Sequence, residues 1–468
     1  MIGRTNSSAV LPAAPAPILP ALLLTALCAG LAILIGNVVA DVTDWSLPLL
    51  LVTSGLATAP VVWGLVKRRL DVFEPVVVLC GIYLLLYGLA ALAYLAWGAP
   101  MEQPEPEAVA TASCYCLLGL IFFYVGYYAL SPGRTVAQHS LTEEAWSPHR
   151  LALICVVLAL IAVGATLVMK FVLKVNILVP ESSSELRYGV YLLNLEYLYQ
   201  VAFWIYLSHY LRRGGNRTLT WVFFLGGLGL YAFTKKVELV SYLLGVLVIY
   251  HYRGRRIRFG YVLAFAVAVM VFQGTAHLVD QAGRYRELTG GSLISELPPA
   301  AVFYSSTMRE FEQFSIFVML QVEIPRALPF QYGRTFWALP ATPIPRRIWQ
   351  DKPVSASGLV NYRLFPHLVE QGYGRAVSIL GELFMNFAGW GIAGMVLFGV
   401  LSRRLYQYLR ARPASLWAPV VYAISLNALV SWLRDDIAIS GSTFLLQMAA
   451  LGAAALVLMP RPAGRGAP

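Results

Sequence analysis

Apolar stretches long enough to cross a bilayer recur along almost the whole of this chain, and that recurrence leaves few folds open. A helix needs about 20 predominantly apolar residues to cross roughly 30 Å of hydrocarbon. Twelve stretches meet or approach that length, at about 17–40, 45–66, 75–97, 108–130, 151–173, 190–211, 218–233, 237–252, 259–279, 378–401, 415–433 and 437–459. Hydrophobic residues make up 58% of the 468 and charged residues only 13%, against roughly a quarter in soluble domains. A soluble fold has no core large enough for so much apolar surface. A disordered chain needs low hydrophobicity and high net charge. The sequence therefore predicts an all-α integral membrane protein with about 12 transmembrane helices.

The seventh and eighth stretches are short. Read as one helix of about 35 residues, they would put Lys235 and Lys236 at mid-membrane depth, where charge is costly. Read as a helical hairpin, they place Thr234-Lys235-Lys236 at its tip. The distribution of basic residues agrees with the hairpin. With the N-terminus inside, the inner segments hold Lys67-Arg68-Arg69, Arg212, Arg213, Arg217, Arg253, Arg255, Arg256, Arg258, Arg403, Arg404, Arg410, Arg412, Arg461 and Arg465. The short outer loops at Asp41–Asp44 and 98–107 hold no base. The expectation is twelve spans, N-in and C-in, with no cleavable signal peptide. Net charge of +11 is mostly this topology signal and suits an anionic membrane surface; no nucleic-acid motif is present. The five cysteines (Cys28, Cys80, Cys114, Cys116, Cys155) fall inside spans, which reads as packing and not as a disulfide framework.

One connection is long. Residues 280–377 lie on the outer face between spans nine and ten, dividing the chain into 1–279, 280–377 and 378–468. A loop of this length in a compact protein is usually functional. Near its start lie His277, Asp280, Arg284, Arg286 and Glu287. In 300–323, Phe303, Phe311, Phe314, Val318 and Val322 share one helical face and Arg309, Glu312 and Gln313 the other; this predicts an amphipathic helix lying on or dipping into the membrane. Tyr332-Gly333-Arg334 follows, then Leu339-Pro340 to Lys352-Pro353. Three prolines in six residues predict an extended, stiff path presenting Arg346, Arg347 and Lys352. The loop's bases, Arg284, Arg309, Arg334, Arg346 and Lys352, are spaced around stiff elements. Arginine forks match phosphate oxygens, so they suit a lipid pyrophosphate; solvated loop charges or headgroup contacts are the alternative.

The run Ile344-Pro345-Arg346-Arg347-Ile348-Trp349-Gln350-Asp351-Lys352-Pro353, with Gly381-Glu382-Leu383-Phe384-Met385-Asn386-Phe387-Ala388-Gly389-Trp390-Gly391 entering span ten, resembles the bacterial O-antigen polymerases of the Wzy type, the oligosaccharide repeat-unit polymerases. Lys235 and Lys236 in a mid-chain hairpin and Arg434 near the last span also occupy family-like positions. The resemblance covers roughly residues 220–450. Ala388 stands where the family usually has Gly, and Arg347 follows Arg346, leaving open which arginine faces substrate.

The resemblance implies a GT-C-like glycosyltransferase fold in the bacterial inner membrane, with the large loop periplasmic. It implies polymerisation of undecaprenyl-pyrophosphate-linked repeat units into O-antigen or exopolysaccharide, beside a chain-length regulator and a flippase. The sequence holds no HExxH, no Cys/His cluster and no GxxxxGK(S/T) loop, so no cofactor and a metal-independent reaction are expected. Arg346 and Lys352 are then the leading pyrophosphate ligands, supported by Arg284, Arg309, Lys235, Lys236 and Arg434. Glu382 is the candidate general base or an arginine clamp; Asp435 and Asp436 are its rivals, and His277 and His367 weaker ones. Glu196 and Glu238 are expected to line a cavity or pair with the hairpin lysines. Asp41 and Asp44 are the sole candidates for a metal. Gly381, Gly389, Gly391 and Gly394 predict close packing in span ten, with Asn386 bonding across helices. An O-antigen ligase or other lipid-linked glycosyltransferase is the nearest alternative, and a polytopic transporter or glycolipid flippase the more distant one, although no two-half repeat is visible.

Overall fold

The computed structural model describes residues 45–97, 106–130, 147–172, 194–234, 236–271, 311–370 and 374–458. Every regular element in them is helical. Helix α1 is Ser46–Val66. The segments Pro75–Tyr83, Leu84–Leu89 and Ala90–Trp97 run on as α2, with a π turn at their centre. Pro106–Tyr124 (α3) and Pro148–Leu167 (α4) each continue into a π turn. Then come α5 (Tyr197–Arg213), α6 (Arg217–Thr234), α7 (Lys236–Arg253) and α8 (Phe259–Val271). The later elements are α9 (Gln313–Glu323), α10 (Ala356–Leu364), α11 (Ile379–Phe387), α12 (Gly394–Arg410), α13 (Ala418–Arg434) and α14 (Ile437–Leu458). Among the described residues, six helices are long and apolar enough to cross a membrane: α1 to α4, the run from Ile379 to Arg410, and α14. The expected first span, 17–40, lies outside the described residues, as do Cys28, Asp41 and Asp44.

The chain between Arg217 and Arg253 is a hairpin, not one long helix. The Tyr242 hydroxyl reaches back to the carbonyl oxygens of Phe223 and Phe224, 3.2 Å from each, which requires α6 and α7 to lie antiparallel. Helix α5 packs on the pair, and Trp204 Nε1 donates to the Tyr242 carbonyl at 3.3 Å. The tyrosines buried here each place the hydroxyl on a backbone carbonyl. In a core without water, an unpaired hydroxyl would be costly. Cys80, Cys116 and Cys155 are buried free thiols, and Cys114 is an exposed one.

Two segments depart from the sequence expectation. Helix α9 covers the second half of the expected amphipathic segment; residues 301–310 lie outside the described residues. It is buried in the core, with Phe314 edge-on to Tyr94 and Phe317 edge-on to Tyr115. Gln313, assigned to the polar face, is buried as well. Ile316 and Leu320 are buried too, so the apolar surface extends beyond one face of the helix, while Ser315, Met319, Gln321 and Glu323 are half-buried. Span ten is also broken. Helix α11 ends at Phe387, a 3-10 segment runs Ala388–Ala393, and α12 resumes at Gly394. The break turns on Ala388, whose φ of 49° lies in the left-handed region.

The long helices close around glycines. A Cβ on Gly399 of α12 would overlap the Phe123 carbonyl of α3, so this crossing admits only a bare Cα.

Candidate functional site

The connections meet in two groups. In one, Asp71 between α1 and α2 accepts from the hydroxyls of Tyr252 (3.1 Å) and Tyr406 (2.9 Å) and faces His251 Nε2 at 3.4 Å. Beside it, Glu74 accepts from the Tyr127 hydroxyl at 2.8 Å and from Arg403 at 3.3 Å. Burial alone would raise the Asp71 carboxyl, but His251, Tyr406 and the Phe73 N–H outweigh it and hold it below its ordinary value. Glu74 is pushed up by burial. This knot ties the connection between α1 and α2 to the end of α3, to α7 and to α12, and nothing local in the sequence marks it: its partners include pairs 181 and 335 residues apart.

The other group carries the motifs. Ser378 caps α11, its hydroxyl accepting from Gly381 N–H. Glu382 and Asn386 stand one helical turn apart on one face of α11, as i and i+4 residues do. Glu382, Asn386 and Thr335 are all fully or almost fully buried. Thr335 Oγ1 donates to Glu382 Oε1 at 2.7 Å and accepts from Asn386 Nδ2 at 2.7 Å. Glu382 Oε2 accepts the Ile437 N–H at 2.8 Å. Asn386 Oδ1 accepts Gly333 N–H at 2.8 Å, and the Met385 and Asn386 carbonyls accept from Gln331 and Tyr332. Asn386 thus bonds to a loop, not across to a neighbouring helix.

Asp436 makes the second attachment. One oxygen accepts Ile439 N–H at 2.8 Å and caps α14; the other accepts Ser357 N–H at 2.7 Å, at the start of α10. The chain from Thr335 to Ser357 is therefore a strap. One foot rests on Glu382, which holds Ile437, and the other on Asp436, the adjacent residue. Leu339 packs against the position of Gly441 in α14, which lays the strap across the mouth of that helix.

The proline run inside the strap is not extended. It folds as successive tight turns, with Ile344 N–H on the Ala341 carbonyl and Ile348 N–H on the Pro345 carbonyl. Proline's fixed φ suits the first turn of a helix and the second position of a β-turn, so Pro340, Pro343 and Pro345 favour turns as readily as extension. Lys352 Nζ donates to the Ile344 carbonyl at 3.0 Å and reaches that of Ala341, closing the turns on themselves. Burial first, and then the Arg346 guanidinium, pull its pKa below the ordinary lysine value. Arg334, Arg346 and Arg347 are exposed, and Arg346 donates weakly to the Gln350 carbonyl at 3.4 Å.

Helix α13 ends at Arg434, and Asp435 follows, half-buried. Arg434, Asp436 and Glu238 are the charges Asp435 feels. Glu238, near the start of α7, accepts from the Tyr197 hydroxyl at 2.8 Å; the α6–α7 hairpin tip is thereby brought to the same end as the strap. The Tyr231 hydroxyl donates to the backbone carbonyl of buried Glu196 at 2.7 Å. Lys236 opens α7. His367 is exposed, its ring edge-on to Phe365. His277, Arg284, Arg309 and Lys235 lie outside the described residues.

The structure thus gathers Glu382, Asp436, Asp435, Arg434 and the strap carrying Arg346 and Lys352 at one end of the bundle. Sequence reasoning missed Thr335, the hydroxyl that joins the motif on α11 to the strap. The signal was the i, i+4 spacing of Glu382 and Asn386: two polar groups buried on one face require a shared polar partner. Comparison of the chain with family models, with curated proteins and with solved structures gives no match.

Proposed function

We propose that this chain is a glycosyltransferase of the bacterial inner membrane that polymerises lipid-pyrophosphate-linked oligosaccharide repeat units at the periplasmic face. In this reading the chain crosses the membrane twelve times, N-in and C-in, in a GT-C-like arrangement. The strap faces the periplasm, and the Asp71 knot faces the cytoplasm. The observation that carries the reading is the strap itself. Arg346 and Arg347 are exposed on a segment whose two feet are fixed by fully buried carboxylates, with exposed Arg334 just before its first foot, at the end of the apolar helices. Lys352 lies close enough to Arg346 to feel its charge. Like charges held together on a rigid support form a site for a multivalent anion.

In the transfer, the bond between the donor's anomeric carbon and the pyrophosphate oxygen breaks, and the leaving pyrophosphate gains charge. Cations fixed where that charge develops stabilise the transition state more than the ground state. Arg346 offers a fork of donors to the phosphate oxygens, and Lys352 sets the fork's position by holding the turns closed. In this reading Glu382 and Asp436 hold the strap in place, each of their oxygens accepting a protein hydrogen. Purified protein in proteoliposomes, supplied with lipid-pyrophosphate repeat units, tests the reading: a ladder of lengthened glycans is expected. Transport or binding of the glycolipid without new glycosidic bonds would replace it with a transporter.

A further inference from the structure

We propose that Asp435 is the general base that takes the proton from the acceptor hydroxyl; this rests on the glycosyl-transfer reading above. Three carboxylates meet around the turn between α13 and α14, and two of them are structurally committed. Glu382 and Asp436 are fully buried, and all four of their oxygens accept hydrogen bonds from the protein. Asp435 differs on each count. It is half-buried, and among the described residues no hydrogen bond reaches its carboxylate, although its own N–H is held by the Ser431 carbonyl at 2.6 Å.

Its position is nonetheless fixed from both sides. Arg434 ends α13, and Asp436 and Ile437 are pinned by Ser357 and Glu382. A carboxylate placed this firmly with no donor among the described residues costs stability; folds keep such groups where chemistry uses them. The charges facing Asp435 are Arg434 on α13, Asp436 in the turn and Glu238 on α7. Burial has the largest influence and holds the carboxyl up at about 6, with Arg434 pulling the other way. A base that titrates close to the working pH is ionised there yet still basic enough to accept a proton.

The step balances. The acceptor oxygen forms a bond to the donor's anomeric carbon, and the bond from that carbon to pyrophosphate breaks. The bonding pair leaves with the pyrophosphate, whose charge meets the strap cations. The hydroxyl proton passes to Asp435 and from there to water.

The test uses full-length protein in proteoliposomes. Asp435→Asn is expected to lower kcat/KM about 100-fold or more, leave KM for the lipid donor unchanged and leave the melting temperature at neutral pH the same or higher. The wild-type kcat/KM is expected to rise with pH through about 6. Asp435→Glu is expected to restore part of the rate and move that limb. An active wild type whose Asp435→Asn variant polymerises normally overturns the base assignment alone, as does an Asp435→Glu limb that does not move. A wild type that makes no glycosidic bond overturns the transfer reading and the assignment with it.

Discussion

Thr335 and Glu382 lie 47 residues apart and meet in a 2.7 Å hydrogen bond, with the Ile437 N–H on the other carboxylate oxygen at 2.8 Å. One buried side chain thus joins the strap, the broken span and the first turn of the last helix. Together with Asp436 on Ser357, it converts a loop with little regular structure into a support of defined shape.

Removing either partner should leave one polar atom of the other, Glu382 Oε1 or the Thr335 O–H, buried without its bond. Thr335→Ala and Glu382→Ala are each expected to destabilise the protein by roughly 1–3 kcal/mol. The double variant should lose less than the sum of the two, with a coupling of at least about 0.5 kcal/mol. Thermal unfolding in detergent measures the cycle; strict additivity would mean that the two residues do not share a bond.

Ala388 holds a φ of 49°, and its carbonyl accepts from the Tyr115 hydroxyl at 2.6 Å. Left-handed backbone costs an L-residue roughly 1–2 kcal/mol. Glycine costs roughly 0.5–1 kcal/mol through lost chain entropy. Ala388→Gly is therefore expected to stabilise the fold by about 0.5–1 kcal/mol, read as a rise in melting temperature with activity retained.

The crossing of α3 and α12 at Gly399 leaves no room for a side chain. Gly399→Leu is expected to cost roughly 1–3 kcal/mol or more by overpacking. The fall in melting temperature should exceed that of the same substitution at Gly452, where an added Cβ meets nothing within 4 Å.

Stability should also report on Asp435. Its carboxyl is held at about 6 in the fold, against about 4 in an unfolded chain. Between those values the folded state keeps a proton that the unfolded state has released, so this residue's contribution is fully present below about pH 4 and lost as pH rises through 6. Asp435→Asn removes that slope. Melting temperatures from pH 4 to 8 measure it, and an unchanged slope would show that the carboxyl is not perturbed.

Much of the architecture was legible because bilayer physics writes it in one dimension. The positions of α1 to α4 and α14, and the hairpin around residue 235, follow from apolar length and from the placement of basic residues. What was not legible depends on contacts far apart in sequence. Nothing local marks α9 as buried, since the same apolar spacing serves a membrane surface or a core. Nothing near Asp71 announces Tyr406. The break at Ala388 hides inside a run apolar enough to read as one span. The strap's turns cannot be told from an extended path in the sequence, because proline fixes φ without choosing between turn and extension. The motif on α11 was found by its residues, yet its role in pinning Thr335 needed the fold.

The most direct test of the central claim is Arg346→Ala in the reconstituted assay with lipid-pyrophosphate repeat units. The strap cations are expected to stabilise the leaving pyrophosphate, so kcat/KM should fall roughly 100-fold or more. The melting temperature should hold, because Arg346 is exposed and, among the described residues, its one hydrogen bond is a weak one to the Gln350 carbonyl. Arg346→Lys should recover only part of the loss, since a point charge replaces a fork. An unchanged glycan ladder from a folded Arg346→Ala protein would contradict the account.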